Sequence, residues 1–201
     1  MALVTAADLY PLIPGLSGGA DASLTALLAA VEGSVAHRLG IPATTPGGSP
    51  VLDDVAHTFY LSGPTARDSR RIRIPVQPVQ SVTTIHDDPD WSYAADSLVA
   101  AADYTLDGAA GLVWVNPTAS HAWSRRTRAI RVVAVCGWTA APEPLKRGIL
   151  LWAAVAWSQN AGSISRDAQT SGPGRVRWRL PEIPPEAARL IDAHRMSGEH
   201  L

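Results

Sequence analysis

The chain has 201 residues, of which 46% are apolar and 17% charged, and its formal net charge is −1. This length suits one domain or a domain with an insertion, and the apolar content excludes a wholly disordered chain or a simple coiled coil. The near-neutral charge excludes a global attraction to nucleic acid or to anionic membranes, so any DNA contact must come from a local basic patch.

The N-terminal residues and the single cysteine bear on where the protein is made. Residues 1–15 lack a basic region and a long apolar stretch, so no signal peptide is expected. The longest apolar run, residues 148–157, is too short for a bilayer, which takes roughly 20 residues to cross. Cys136 has no cysteine partner in the sequence and fits a reducing compartment. We therefore expect synthesis in the cytoplasm and no membrane contact.

Residues 1–42 predict two helices. Thr5 followed by Asp8 resembles a helix N-terminal capping box, and Pro11 ends this first helix after barely two turns. A longer helix is predicted for residues 21–39, and it ends at Gly40. Its apolar residues follow the helical period at Leu24, Leu27, Leu28, Val31, Val35 and Leu39. Residues 43–50 read as a turn-rich linker.

Residues 51–138 predict a β module, because the apolar periodicity changes there from 3.6 towards 2. Pro75 and Pro78 cannot donate to a strand ladder, so they belong at an edge or a bend. The glycines within residues 107–111 allow a hairpin turn. The most apolar strand, residues 130–136, is expected at the centre of its sheet. The predicted strands are residues 55–61, 71–74, 79–85, 104–106, 112–115 and 130–136.

Residues 142–160 predict a helix that is apolar on every side. A small domain has difficulty covering such a helix all round by itself. We expect the helix of residues 21–39 to cover one side and a neighbouring subunit to cover another. The residues predicted for that subunit interface are Leu151, Val155 and Trp123.

Residues 161–201 predict a linker and a C-terminal docking arm. Residues 161–174 are small and polar, which is typical of a mobile linker. Residues 175–180 alternate as a half-buried strand, and Pro184 begins a terminal helix. The residues predicted to bind a partner are Arg175, Arg177, Trp178, Arg179, Leu180, Leu190 and Ile191.

The predicted fold class is therefore α+β. A helical module consists of residues 1–42 and the apolar helix of residues 142–160. An antiparallel β module, residues 51–138, is inserted between these two parts, and an extended C-terminal arm follows.

The sequence offers little for catalysis, metal binding or cofactor binding. Its six histidines are scattered, and no phosphate-binding loop, dinucleotide-binding loop or nucleophile elbow occurs. Asp87, Asp88 and Asp90 surround Pro89 and predict a turn rather than a cation site. Cys136 lies inside an apolar strand, where burial raises a thiol pKa and suppresses its reactivity. We expect no enzyme activity, no metal and no cofactor.

All seven tryptophans lie at or after residue 91. Tryptophan combines a large buried area with one hydrogen-bond donor, which suits both cores and interfaces. Four of them are predicted to be mainly core, namely Trp114, Trp138, Trp152 and Trp157. Three stand in polar or arm-like settings and are predicted to touch another molecule, namely Trp91, Trp123 and Trp178.

Arginines form two dense clusters in the sequence, residues 125–128 and residues 175–179. A solvated face is the default interpretation of such a cluster. The functional alternative is a pairing with acidic groups on a partner ring or with DNA phosphates.

The order of these motifs resembles the head-tail connector, or adaptor, proteins of tailed phages and gene transfer agents, a group similar to the HK97 connector and its longer β-containing relatives. The resemblance covers residues 5–160. Its motifs are the N-terminal helix pair, PVQSV, ADYTLD followed by GLVWV, a strand ending in CGW, and Pro-Leu-Lys opening the apolar helix. The CGW ending departs from the family, which often has a Tyr-x-Ala-Gly type ending there.

This resemblance implies a structural virion protein at the head-tail interface. It implies a homo-oligomeric, dodecameric ring that sits on the portal protein, extends the DNA channel and presents a surface to the next tail or stopper protein. DNA would pass through the ring without sequence-specific contacts. On this reading the arm described above binds the portal.

Three other functions remain open from the sequence. One is a different virion or tail-completion protein of similar build. Another is a carbohydrate-binding β module that uses the exposed tryptophans. The third is a hydrolase whose active site has no recognisable motif.

Overall fold

The computed structural model describes residues 3–13, 22–44, 48, 50–64, 70–170 and 180–195, with side chains of residues 160–170 excepted. Helices and two small antiparallel sheets make up these residues, so the fold is α+β, as predicted. The chain divides into two compact units. The helical unit comprises Met1–Ala43, Ser49–Leu52 and Thr139–Leu201, and the β unit comprises Thr44–Gly48 and Asp53–Trp138.

The helical unit is organised around its longest helix. Its helices are α1 (Ala6–Leu9), α2 (Ala22–Arg38), α3 (Glu143–Thr170) and α4 (Pro185–Asp192), with a short 3₁₀ turn at Tyr10–Leu12 after α1. Helix α3 packs against each of the other three. The core of this unit therefore surrounds one side of α3.

The ends of α1 and α2 follow the predicted local signals. At the start of α1, the Thr5 backbone N–H and hydroxyl both donate to Asp8 Oδ2, at 2.9 and 2.8 Å. Helix α2 stops at Gly40, which has φ +78°. The N–H groups of Gly40 and Ile41 reach back to the carbonyls of His37 and Ala36, each at 3.0 Å. This is the Schellman arrangement, in which glycine accepts the left-handed conformation and satisfies the final carbonyls.

Helix α3 is longer than predicted. It continues to Thr170, so the linker predicted for residues 161–174 is wrong over residues 161–170. The sequence has no proline between Leu145 and Thr170, and an isolated glycine such as Gly162 weakens a helix by only about 1 kcal/mol. Small polar residues therefore continued an established helix instead of ending it.

The β unit contains two three-stranded antiparallel sheets. The strands are β1 (Val55–Leu61), β2 (Arg71–Arg73), β3 (Val79–Asp87), β4 (Tyr104–Asp107), β5 (Leu112–Val115) and β6 (Ile130–Cys136). One sheet has the order β1-β6-β3, so β6 is central, as predicted. The other sheet has the order β2-β5-β4 and includes the predicted β4–β5 hairpin.

Alternation along β6 places every second side chain in the core. Ile130, Val132, Ala134 and Cys136 are all fully buried. Burial raises the pKa of the Cys136 thiol to about 11, so this thiol stays protonated and unreactive near neutral pH. The prediction of a buried Cys136 is confirmed.

Two tryptophans of the β unit differ from their predicted environment. Trp114 was predicted to be core but is 39% exposed, because its β5 neighbours Val113 and Val115 take the inward positions. The guanidinium of Arg71 lies over the exposed ring at 5.4 Å. Trp123 was predicted to contact another molecule but is only 4% exposed within its own chain.

Candidate interaction surfaces

Neither a metal-binding cluster nor a membrane-spanning helix occurs in the described part of the chain. No group of three or more His, Cys, Asp or Glu residues is placed there to hold a metal ion. No helix in those same ranges is long and apolar enough to cross a membrane. The candidate sites in these ranges are exposed surfaces that could contact other macromolecules.

The side chains of helix α3 differ in how deeply their own chain buries them. Its buried apolar side chains are Leu145, Ile149, Leu150, Trp152, Ala153 and Ala156 among those that the structure describes. Leu151 and Val155, one helical turn apart, are only half-buried by their own chain. This half-buried pair is the part of the predicted subunit interface that remains accessible, and its role there stays a prediction. Trp123, the third predicted interface residue, belongs to the β unit and is buried.

Helix α4 packs closely on α3. Ala187 and Ile191 are fully buried, and a Cβ added at Gly148 of α3 would lie 3.0 Å from the Cγ1 of Ile191. The segment that precedes α4 also touches α3, because the Trp152 indole N–H donates to the carbonyl of Pro181 at 3.1 Å. Helix α4 therefore contributes to the core of the helical unit.

The predicted docking arm is only partly described. Arg175, Arg177, Trp178 and Arg179 lie outside the described residues. Leu180 and Leu190 are half-buried, whereas Ile191 is fully buried against its own chain. A docking role for this set stays a prediction, and Ile191 could reach a partner only if α4 left α3.

Two ion pairs of the described residues connect helices of the helical unit at shorter distances than the 3.5 Å contact between Arg147 of α3 and Glu186 of α4. Lys146 Nζ of α3 lies 2.8 Å from Asp8 Oδ1 of α1. Arg38 of α2 makes a two-pronged contact with Asp192 of α4, with N–O distances of 2.8 and 2.7 Å. The bonded cation lowers the pKa of each carboxyl below its ordinary value.

At one end of the β1-β6-β3 sheet, aromatic and arginine side chains form a surface that we call the platform, defined by Tyr60, Trp91, Tyr93, Arg128 and Arg131. The first four line an open cleft of about 390 Å³. Tyr60 is 44% exposed and Trp91 is 59% exposed. The platform is the strongest candidate site in the β unit, because large aromatic rings and arginines are exposed together.

Cation–π stacking orders the platform. Arg128 lies over the Tyr60 ring at 5.1 Å, and Arg131 lies over the Tyr93 ring at 5.0 Å. The two tyrosine rings are themselves 5.6 Å apart and tilted by 54°. The Nε of Arg131 is buried without a hydrogen-bond partner. Within the described part of the chain, two guanidinium groups are thus positioned by aromatic rings rather than by carboxylates.

The loop after β3 is held in shape by Asp88. Its carboxylate accepts hydrogen bonds from the Ser92 hydroxyl at 2.6 Å, the Tyr93 N–H at 2.7 Å and the Asp90 N–H at 2.8 Å. These donors, led by Ser92, lower the pKa of Asp88, so the carboxylate stays ionised. The three aspartates of this segment make a turn, as predicted, and that turn projects Trp91 and Tyr93.

The loop before β6 docks against the loop after β3. Trp91 donates its indole N–H to the carbonyl of Thr127 at 2.9 Å, and the Tyr93 hydroxyl donates to the carbonyl of Arg128 at 2.5 Å. Asp87 accepts the Ser124 N–H at 2.8 Å and lies 3.3 Å from His121 Nε2. These bonds fix both loops to the end of the sheet.

Backbone strain in the described chain is concentrated at the platform. The non-glycine residues with positive φ there are Trp91 (62°), Tyr93 (50°) and Arg128 (55°). All three line the cleft. A left-handed conformation costs a residue with a side chain roughly 1–2 kcal/mol, and such strain tends to collect at functional sites.

Sequence reasoning found parts of the platform but not the whole. It singled out Trp91 and the arginines of residues 125–128 as separate features. It missed Tyr60 and Tyr93, and it did not bring the two groups together. The sheet register brings these residues together, because the end of β1 at Leu61 and the end of β3 at Asp87 are both paired with Ile130 at the start of β6. Alternating polarity along β1 could have marked Tyr60 as outward-facing, but no local signal gives the meeting of the two loops.

The architecture defines a class of fold in which an antiparallel β unit is inserted into a helical unit. A chain in a solved structure entitled "Neck of empty GTA particle computed with C6 symmetry" has this fold, with a TM-score of 0.53 and 18% identity over 94% of this chain and 87% of that one. GTA denotes gene transfer agent. A neck computed with C12 symmetry gives a TM-score of 0.49 and 18% identity, over 87% of this chain and 82% of that one. No protein-family model matches the chain, and no curated protein matches it either.

Proposed function

We propose that this chain is a structural adaptor in the neck of a phage-like or gene transfer agent particle, where it joins head to tail without catalysis. The observation that carries the proposal is the fold shared with a GTA neck chain over 94% of this chain and 87% of that one. A match that spans both chains almost end to end covers the helical and β units together. The order of the sequence motifs supports the same role independently.

We propose further that copies of the chain assemble into a ring. A neck computed with C6 symmetry contains repeated copies of its parts, and a ring requires each copy to use two different surfaces on its neighbours. Leu151 and Val155 on the half-buried side of α3 suit one such surface, because they are apolar and adjacent on the helix. Burying them in a neighbour would remove further apolar area from water, which stabilises an interface by about 25 cal/mol for each Å² buried.

The adaptor would sit on the portal and surround the DNA as it passes. The arginines of residues 175–179 supply the charge for contacts with acidic groups of a portal ring. DNA that passes through the ring needs no sequence-specific contact with the adaptor. The near-neutral charge of the whole chain agrees with this, because it gives no strong overall attraction to DNA.

A double substitution tests the ring. Leu151→Asp with Val155→Asp places two carboxylates on the half-buried face of α3, and Gln159→Asp places one on a nearby exposed position. The protein is mixed with purified portal rings, and the complexes are counted by native mass spectrometry and electron microscopy. We expect wild type and Gln159→Asp to form closed rings on the portal. The double variant is expected to stay monomeric, because charges buried at an interface lose their hydration.

The circular dichroism spectrum of the double variant should match that of wild type, which separates lost assembly from lost folding. Rings formed equally well by the double variant would remove α3 from the interface. Wild-type protein that binds a tail tube but no portal would favour a tail-completion role over the adaptor.

The proposed role of the C-terminal arm in portal binding is better tested by substitution than by deletion. Removing residues 175–201 would also remove α4 and expose the apolar side of α3 that Ile191 covers. Replacing Arg175, Arg177 and Arg179 together by glutamine leaves α4 in place. We expect this triple variant to fold normally and to bind portal rings more weakly, with a smaller dependence on salt.

A further inference from the structure

The platform has features that the adaptor role does not require. It combines exposed aromatic rings, two stacked guanidiniums and an open cleft, and it lies wholly within the β unit. Trp, Tyr and Arg are the residues that most often dominate binding energy at protein interfaces. The strained backbone at Trp91, Tyr93 and Arg128 is held by surrounding hydrogen bonds, so the surface is already ordered before any partner arrives.

The groups left available on the platform determine the chemistry of its partner. The indole N–H of Trp91 and the hydroxyl of Tyr93 already donate to backbone carbonyls. Arg128 and Arg131 already stack on the rings of Tyr60 and Tyr93. The exposed ring of Trp91 remains, together with the guanidinium of Arg128, which makes no ion pair within the described ranges of the chain. The guanidinium only donates hydrogen bonds and matches a carboxylate with two parallel bonds. The partner must therefore supply an anion beside an apolar group.

The charge around the cleft favours a single anion over a chain of phosphates. Arg126 is already paired with Asp90 at 3.4 Å, and the carboxylate of Asp90 is 84% exposed. The ionised Asp88 lies in the same loop. A single-stranded nucleic acid carries one charge per nucleotide and binds in a groove of cations along its backbone, whereas charges of both signs lie around this cleft. A neutral sugar needs acceptors as well as donors, and the platform offers mainly donors and rings.

We propose that the platform binds an acidic segment of a neighbouring protein chain. One Asp or Glu carboxylate of that segment pairs with Arg128, and an adjacent apolar side chain covers the exposed face of Trp91. This inference stands apart from the neck role, because it concerns a surface of the β unit that can be tested on the isolated full-length chain.

A peptide array tests the proposal. The full-length protein is applied to immobilised hexapeptides that carry Asp or Glu next to Leu, Phe or Trp, each beside a counterpart with Asn or Gln. We expect acidic peptides to bind at least tenfold more strongly than their amide counterparts. The strongest peptides are then labelled, and their affinity is measured by fluorescence polarisation. Raising the salt concentration should weaken binding.

Variants locate the binding on the platform. Arg128→Gln and Trp91→Ala should each lower the affinity for the acidic peptides at least tenfold. The matched control is Arg71→Gln, because Arg71 also stacks on an exposed tryptophan of the β unit, Trp114, at 5.4 Å. This control should bind like wild type. Thermal unfolding of each variant shows whether the β unit stays folded.

Several outcomes would overturn the proposal. Equal binding of acidic and amide peptides to the wild-type protein would do so without reference to any variant. So would loss of binding in Arg71→Gln to the same degree as in Arg128→Gln. Tighter binding of a twelve-nucleotide oligothymidylate would identify the platform as a nucleic-acid site, and tighter binding of cellohexaose would identify a carbohydrate site.

Discussion

At the scale of single residues, the charged pairs of the helical unit hold its helices together, and one of them also caps a helix. Asp8 accepts the Thr5 N–H at the start of α1 and also pairs with Lys146 of α3. One carboxylate thus caps a helix of only four residues and ties it to its neighbour. A helix this short has little stability of its own, so such contacts determine whether it forms.

The pH dependence of stability should report the Asp8 pair. The hydrogen bond from Lys146 is the main cause that lowers the pKa of Asp8 below 3.8. A carboxyl whose pKa is lower in the folded state stabilises the fold above its unfolded pKa, and this contribution disappears as pH falls through the folded pKa. We expect Asp8→Asn to lower the free energy of unfolding at pH 7 by about 0.5–1 kcal/mol. The difference from wild type should shrink as pH falls below 3.8 and through the lower pKa of the folded state.

Urea denaturation at several pH values measures this difference. Asp90→Asn is the matched control. Asp90 also pairs with a cation, Arg126, but the distance is longer, at 3.4 Å, and the Asp90 side chain is 84% exposed. It should change the free energy of unfolding at pH 7 by less than about 0.5 kcal/mol. An Asp8→Asn variant as stable as wild type at pH 7 would show that the pair contributes nothing.

At the scale of elements, glycines decide how closely two segments approach. A Cβ added at Gly148 would meet three atoms of α4 within 3.0–3.3 Å, so the α3–α4 contact depends on its absence. Among the described residues outside its own helix, a Cβ added at Gly33 of α2 would lie within 4 Å of the Pro50 carbonyl oxygen alone, at 3.8 Å. A Cβ on Gly63, beside the platform, would lie 1.5 Å from the carbonyl oxygen of Ser124, so this loop crossing admits only glycine.

The same substitution at two helix glycines should therefore have different effects. Gly33→Ala should raise the free energy of unfolding by up to about 1 kcal/mol, since alanine favours helix and the space is open. Gly148→Ala gains the same propensity but pushes α4 away from α3, so we expect it to be at least about 1 kcal/mol less stable than Gly33→Ala. Chemical denaturation of both variants measures the gap. Equal stabilities would mean that α4 shifts at no cost.

At the scale of the whole molecule, the chain divides into a helical unit that is discontinuous in sequence and a β unit that is almost continuous. The two ends of the β unit meet, because Asp53 and Trp138 form a β-bridge. When the two ends of an inserted unit are adjacent, the host fold need not separate to accept it, and domain insertions are usually of this kind. The central strand β6 and both of its neighbours lie within this insertion.

We expect the fragment of residues 53–138 to fold alone, because both sheets and their cores are internal to it. Its thermal unfolding, followed by far-ultraviolet circular dichroism, should be cooperative and reversible. The platform lies within this fragment, so the acidic peptides should bind it with the same affinity as the full chain. A fragment without a cooperative transition would show that the β unit depends on the helical unit.

The sequence by itself determined most of the elements, because periodicity and turn residues act locally. The α2 stop at Gly40, the β4–β5 hairpin and the central position of β6 all follow from short-range patterns. Local patterns failed at residues 161–170, where a helix already under way continued through polar residues. They also failed at Trp114, because only pairing with its neighbours showed which face of β5 is buried.

Only the tertiary structure decided where distant residues meet. The platform unites β1, the loop after β3 and the loop before β6, and strand register brings these segments together. The packing of α4 on α3 likewise depends on the absence of a side chain at Gly148, although residues 187 and 148 are far apart in the chain. Such contacts depend on the shape of two surfaces together, and no single stretch of sequence contains that information.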